Sequence, residues 1–117
     1  MVRAIRGAIC AENTADSILA RTKMLLDEII LVNSLEIEQI ISVTFTCTKD
    51  LDAVYPAVAA REMGLVDASL MCMQEMDVAG AMQGLVRVQV LAGMQGKARH
   101  VYLGRAKSLR PDIAQAD

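Results

Sequence analysis

The chain has 117 residues and a formal net charge of −2, which suits one compact domain over residues 1–117 and leaves no basic field to hold nucleic acid. Hydrophobic residues make up 54%, and counting the seven glycines the apolar share exceeds the usual ~45–50%, an excess that points to surface covered by another subunit. Aromatic residues are limited to Phe45, Tyr55 and Tyr102, so bases find no stacking platform, and the apolar runs fall far short of the ~20 residues that span a bilayer.

Met1–Arg6 contains no long apolar stretch, so no export signal is expected. Cys10, Cys47 and Cys72 are odd in number and far apart, which reads as reduced thiols in a cytoplasmic protein. With His100 as the single histidine and no CxxC pair, neither a zinc site nor any other metal is expected.

Alternation of β-branched and other residues from Val2 to Ile9 predicts a first strand, with Val2, Ala4, Arg6 and Ala8 on one face and Arg3, Ile5 and Ile9 on the other. Asn13-Thr14 offers an N-cap, and Asp16 suits the positive end of a helix dipole. Ile18, Thr22, Leu25, Ile29 and Val32 then recur at helical spacing and predict a helix over about 15–33. A single helical turn is expected within 34–39, then a strand over 40–48. Pro56 and Gly64 bracket a short helix over 56–63.

Strands are expected at 67–73, at 85–92 and at 100–106, the last placing His100, Tyr102 and Gly104 on one face, and the polar tail is expected to fray. The order β-α-β-α-β-β-β describes an α+β domain with one mixed sheet of about five strands, packed by one long and one short helix.

Few residues ask for more than packing. Arg6 and Arg87 lie in mid-strand, and a half-buried guanidinium is costly unless paired. One reading makes them structural partners of Glu75 or Asp77. The other has two planar guanidinium forks converging on a carboxylate-bearing ligand. Met71-Cys72-Met73-Gln74-Glu75 places a thiol, an amide and a carboxylate where a strand gives way to a turn. No histidine lies near Cys72 in the sequence, so a buried thiol is expected there rather than a nucleophile. His100 reads as a satisfied structural residue and the methionines as core filler. Phosphate-loop, serine-hydrolase and dinucleotide fingerprints are missing. An enzyme with this inventory would work by positioning and electrostatics.

The blocks Ile5-Arg6-Gly7-Ala8, Asp50-Leu51 with Tyr55-Pro56-Ala57 and Arg61-Glu62, Cys72-Met73-Gln74-Glu75-Met76-Asp77-Val78, Val86-Arg87-Val88, Arg99-His100-Val101-Tyr102-Leu103 and Leu109-Arg110-Pro111-Asp112 run along nearly the whole chain. In that order and spacing they resemble the monofunctional, AroH-type chorismate mutases.

The resemblance implies a homotrimer of the pseudo α/β-barrel type, with active sites in clefts between neighbouring subunits. It implies conversion of chorismate to prephenate by a [3,3]-sigmatropic Claisen rearrangement in aromatic amino-acid biosynthesis, with no cofactor. By motif, Arg87 would face the ether oxygen, Arg6 would grip the side-chain carboxylate and Tyr102 would donate to the same end. Glu75 would accept from the ring hydroxyl with Cys72 beside it. Met71, Cys72, Met73 and Gln74 would line the wall, Tyr55 and Arg61 the rim, and Leu109 and Arg110 would fold over the cleft. The chain departs from the family pattern at Val58, where a lysine is common, and at Tyr55, Ile9, Leu70-Met71 and Gly104. If the arginines are instead interface ion pairs, or hold an anion without reaction, the same residues would serve a structural oligomer or a trimeric receptor.

Overall fold

Thr14 sits in extended backbone and its hydroxyl accepts the Ser17 N–H at 3.1 Å. This satisfies one of the donors a helix start leaves open, and α1 (Ala15–Val32) follows. Ile18, Thr22, Leu25, Leu26 and Ile29 form its buried stripe, close to the spacing expected from the sequence. At the far end the Asn33 carboxamide donates to the carbonyls of Ile29 (2.9 Å) and Arg99 (3.0 Å), while its oxygen accepts the Arg99 N–H at 2.8 Å. One buried side chain thus caps the helix and anchors the approach to the last strand.

The chain is seen as a computed structural model that describes residues 1–113. Around α1 it forms β1 (Val2–Cys10), β2 (Ile40–Cys47), α2 (Ala57–Glu62), β3 (Ser69–Gln74), β4 (Leu85–Gly93) and β5 (Val101–Tyr102). The five strands make one sheet in the order β3-β2-β4-β1-β5. β4 runs antiparallel to β1 and β2, whereas β3 is parallel to β2 and β5 to β1. The expected α+β class and mixed sheet are therefore present, and the turn foreseen within 34–39 is a 3-10 helix at Ile37–Gln39.

Strand alternation divides the sheet into two faces. Ile5, Ile9, Val43, Phe45, Val86, Val88 and Val90 join the stripe of α1 in the main core. Fully burying a side chain of this size contributes ~1.5–3 kcal/mol, so this face dominates stability. The opposite face is set by the register Ala8↔Arg87, Arg6↔Gln89, Thr46↔Arg87 and Thr46↔Met73. Among the described residues neither α1 nor α2 covers it, only Ala8 at its β1 side being buried beneath Ala106, and Met71 and Met73 stand 58% and 48% exposed there.

The end of the chain differs from expectation. The predicted strand over 100–106 is only Val101–Tyr102, followed by a 3-10 helix over Gly104–Leu109. Gly104 takes φ 59, a left-handed conformation that ends the ladder. Ala106, which alternation would have placed in a strand, is fully buried in a second small cluster with Ala8, Leu85 and Tyr102, and Leu109 and Ile113 pack on it. Burial of these side chains carries the chain across the sheet edge. Most of the tail expected to fray, residues 114–117, lies outside the described residues.

Two turns near the site are tied together. The Asp50 carboxylate accepts the Gly84 N–H at 3.2 Å and the Thr48 hydroxyl accepts the Leu85 N–H at 3.0 Å. Hydrogen bonding, led by that from the Thr48 side chain, holds the Asp50 carboxyl below its ordinary range.

Candidate active site

Arg87 projects from the middle of β4 on the uncovered face. Its Nε lies 3.3 Å from Glu75 Oε1, the two side chains being 49% and 21% exposed. The same carboxylate oxygen accepts the Thr46 hydroxyl at 2.6 Å. The Glu75 N–H donates to the Cys47 carbonyl at 2.8 Å, so the backbone continues the β2–β3 pairing one residue beyond β3 and fixes where the carboxylate emerges. Both contacts of Glu75 use Oε1, and the contact of Arg87 uses Nε. These contacts involve neither Glu75 Oε2 nor the terminal guanidinium nitrogens of Arg87.

Arg6 is half-buried on the neighbouring strand and makes no ion pair among the described residues. Its backbone N–H donates to His100 Nδ1 at 2.9 Å. With Gly7 paired to Val101, the His100 ring takes the place of the next strand acceptor at the start of β5. A cavity of about 260 Å³ is lined by Arg6, Thr44, Thr46, Arg87, Gln89 and Tyr102, among others. A second of about 210 Å³ is lined by Glu75, Asp77, Met82, Leu109 and again Arg87. Arg87 is the wall shared by the Arg6–Tyr102 side and the Glu75 side.

His100 titrates below its ordinary 6.5 because of burial first, then the positive charges of Arg6 and Arg110. An unfolded chain takes up this proton first, so stability falls as pH drops below about 6.5 toward the folded value and is independent of this group above it. Protonation also removes the acceptor for the Arg6 N–H. Denaturant unfolding of His100→Asn between pH 7.5 and 5 is expected to lose the part of the acid slope that belongs to this ring, because Asn accepts without titrating.

Four of the remaining sequence candidates gather on the other side of the Thr48–Lys49 segment. Tyr55, Cys72, Met73 and Gln74 line a cavity of about 570 Å³. Cys72 pairs with Phe45 and packs against the main core, on the sheet face opposite Arg87 and away from Glu75. Burial raises its thiol, offset in part by the Ala57 backbone and the Arg61 charge, and burial pushes the neighbouring Cys47 up to about 11. Both shifts favour the protonated thiol at neutral pH. Arg61 is exposed on α2. Met71 stands on the Arg87 face, in register with Thr44. Arg110 makes a two-point ion pair with Asp112 at 3.0 and 2.7 Å, while Leu109 reaches the Glu75 cavity.

One chain therefore joins Arg6, Arg87, Glu75, Tyr102 and Leu109 and holds Tyr55, Arg61 and Cys72 apart from them. Sequence reasoning missed Thr46, whose signal was its alternation in β2 on the face of Arg87, and it gave His100 no partner. Among the described residues no group of three or more His, Cys, Asp or Glu could hold a metal ion, and no helix is long and apolar enough to cross a membrane.

Comparison with known proteins places this geometry in context. Residues 2–113 match the family model described as chorismate mutase type I. The chain is similar to the chorismate mutase AroH of Bacillus subtilis (strain 168), 41% identical over 97% of this chain and 94% of that protein. It is similar to the chorismate mutase AroH of Thermus thermophilus, 39% identical over 99% of each. Among solved structures, a chorismate mutase from Clostridium thermocellum superposes with a TM-score of 0.88 at 47% identity, covering 91% of this chain and 98% of that one.

Proposed function

This chain belongs to the chorismate mutase type I family, and from that premise we propose how its residues carry the reaction and how its subunits assemble. It is a chorismate mutase, an isomerase of aromatic amino-acid biosynthesis that converts chorismate to prephenate. In the [3,3] rearrangement the ether C–O bond breaks while a C–C bond forms, and negative charge gathers on the enolpyruvyl oxygen. No proton moves and no covalent intermediate is needed.

The observation that carries the residue assignment is the place of Arg87 between two cavities. Chorismate presents a carboxylate on its enolpyruvyl arm, a ring hydroxyl, and an ether oxygen between them. Arg6 and Tyr102 take the carboxylate end, Glu75 Oε2 accepts from the hydroxyl, and the terminal nitrogens of Arg87 face the ether oxygen. Arg87 then meets a charge that exists only in the transition state, which is what raises turnover rather than ground-state affinity. Glu75, positioned by Thr46, also favours the cationic character of the ring.

The cleft is completed by a neighbouring subunit, in a homotrimer of one chorismate-mutase-like domain per chain. Two features support this. Val2, Met71 and Met73 are apolar and exposed on the sheet face that neither α1 nor α2 covers. Tyr55, Arg61 and Cys72, which the family resemblance assigns to the substrate wall, are separated from Arg6 and Arg87 within one chain. Leu109 and Arg110 close the Glu75 side. Free Cys10, Cys47 and Cys72 suit a reducing cytoplasm.

The test is loss of chorismate absorbance in the ultraviolet on adding the purified chain, with native mass spectrometry of the assembly. Turnover by a species of three chains is expected. Turnover by a monomer would overturn the shared cleft, and no turnover would overturn the reaction.

A further inference from the structure

Lys49 lies in the loop after β2, in the wall common to the 570 Å³ cavity of Tyr55 and Cys72 and the 210 Å³ cavity of Glu75 and Arg87. It is the only cation among the residues lining the larger cavity. Its Nζ is 3.0 Å from Asp77 Oδ2, with the two side chains 59% and 44% exposed.

Chorismate is a dianion. Around the proposed site Arg6 and Arg87 supply two positive charges and Glu75 removes one, and both guanidinium groups are committed to the enolpyruvyl half. Of the other cations assigned to the cleft, Arg110 is paired at two points with Asp112 and Arg61 stands exposed at the rim on α2, so a weakly held cation in the cavity wall is free to serve the ring carboxylate. An exposed ion pair is weakly held, and lysine's ammonium swings on a flexible four-carbon stem.

We propose that Lys49 is a substrate-capture residue: in the empty enzyme its ammonium rests on Asp77, and on binding it transfers to the ring carboxylate of chorismate. Asp77 is then a competitor that keeps the ammonium at the cavity wall while the site is empty. The contact is the same in substrate and transition state, so it acts on KM and leaves kcat alone. The inference rests on the chorismate mutase reading.

Initial rates of chorismate loss on the full chain test it. Lys49→Met is expected to raise KM about threefold to fivefold, the weight of one exposed charge pair, with kcat unchanged. Asp77→Asn releases the ammonium and is expected to lower KM about twofold, and Lys49→Arg is expected to keep the wild-type KM. The difference between wild type and Lys49→Met shrinks in about 0.5 M salt, where exposed charges are screened. If Lys49–Asp77 is only a structural tie, Lys49→Met and Asp77→Asn will shift KM in the same direction. That outcome, or no shift in Lys49→Met, overturns the proposal. Failure of the underlying reaction is separate, since the wild-type chain would then consume no chorismate.

Discussion

Arg87→Ala is expected to lower kcat by on the order of 10³, the upper end of what one preorganised donor at a developing oxyanion contributes, because a full positive charge is lost along with the hydrogen bonds. KM should move far less, since the ether oxygen carries little charge in bound chorismate. The fold should barely notice: the Arg87 side chain is 49% exposed on the face away from the main core, and Glu75 keeps its hydrogen bond to Thr46. Lysine at this position restores a charge but not the planar fork, and it also surrenders the Nε contact to Glu75, so Arg87→Lys should recover only part of the loss. Steady-state kinetics with a thermal melt of each variant decide the point. The competing idea, that Arg87 only holds Glu75 in place, requires a lowered melting temperature with turnover preserved. Alanine-variant activity within tenfold of wild type would end the assigned role.

Much of this architecture can be read from spacing, because one buried face imposes its period. The stripe Ile18-Thr22-Leu25-Ile29 and the alternation Val86-Arg87-Val88-Gln89-Val90 each record burial against the other, and the structure places both in the main core. Arg6 attracts notice as a charge on the face of Val2, Ala4 and Ala8, and Arg87 as a charge set between valines in mid-strand. What spacing does not carry is tertiary closure. Alternation through Tyr102 and Gly104 suggests a strand to Ala106, yet Ala106 is buried because it meets Ala8 and Leu85, residues distant in sequence. Nor can periodicity pair a hydroxyl with a carboxylate: Thr46 and Glu75 are 29 positions apart and meet only through the β2–β3 register. Cys72 belongs with Glu75 by motif, but the two-residue period sends its thiol to the core side, and only the folded register reveals that separation.

Gly7→Ala is expected to destabilise the fold by about 1–3 kcal/mol, the usual cost of forcing atoms into a filled core, and to impair catalysis with it. Gly7 is not at positive φ, so conformational freedom is not its reason for being glycine. Space is the reason. A Cβ there would stand 2.9 Å from Ile29 Cδ1, 3.1 Å from Leu25 Cδ1 and 3.0 Å from the Val101 carbonyl oxygen. The two side-chain ends can swing aside, at some cost in packing against α1. The carbonyl belongs to the backbone of β5 and can yield only if that strand moves. β5 pairs with β1 at Gly7↔Val101 and Ala8↔Tyr102, and the Leu103 N–H donates to the Ala8 carbonyl at 3.0 Å, so displacing this short strand carries Tyr102 away from the cavity it shares with Arg6. The ring of His100, which accepts the Arg6 N–H at 2.9 Å, moves with it. Stability and substrate grip should therefore fall together, the second as a higher KM. Gly93→Ala is the control, since a Cβ at that position meets nothing within 4 Å. Denaturant unfolding and chorismate kinetics on both variants separate the outcomes: Gly93→Ala behaves as wild type, whereas a Gly7→Ala protein equally stable and equally active would mean that β5 is not wedged against β1 in this way.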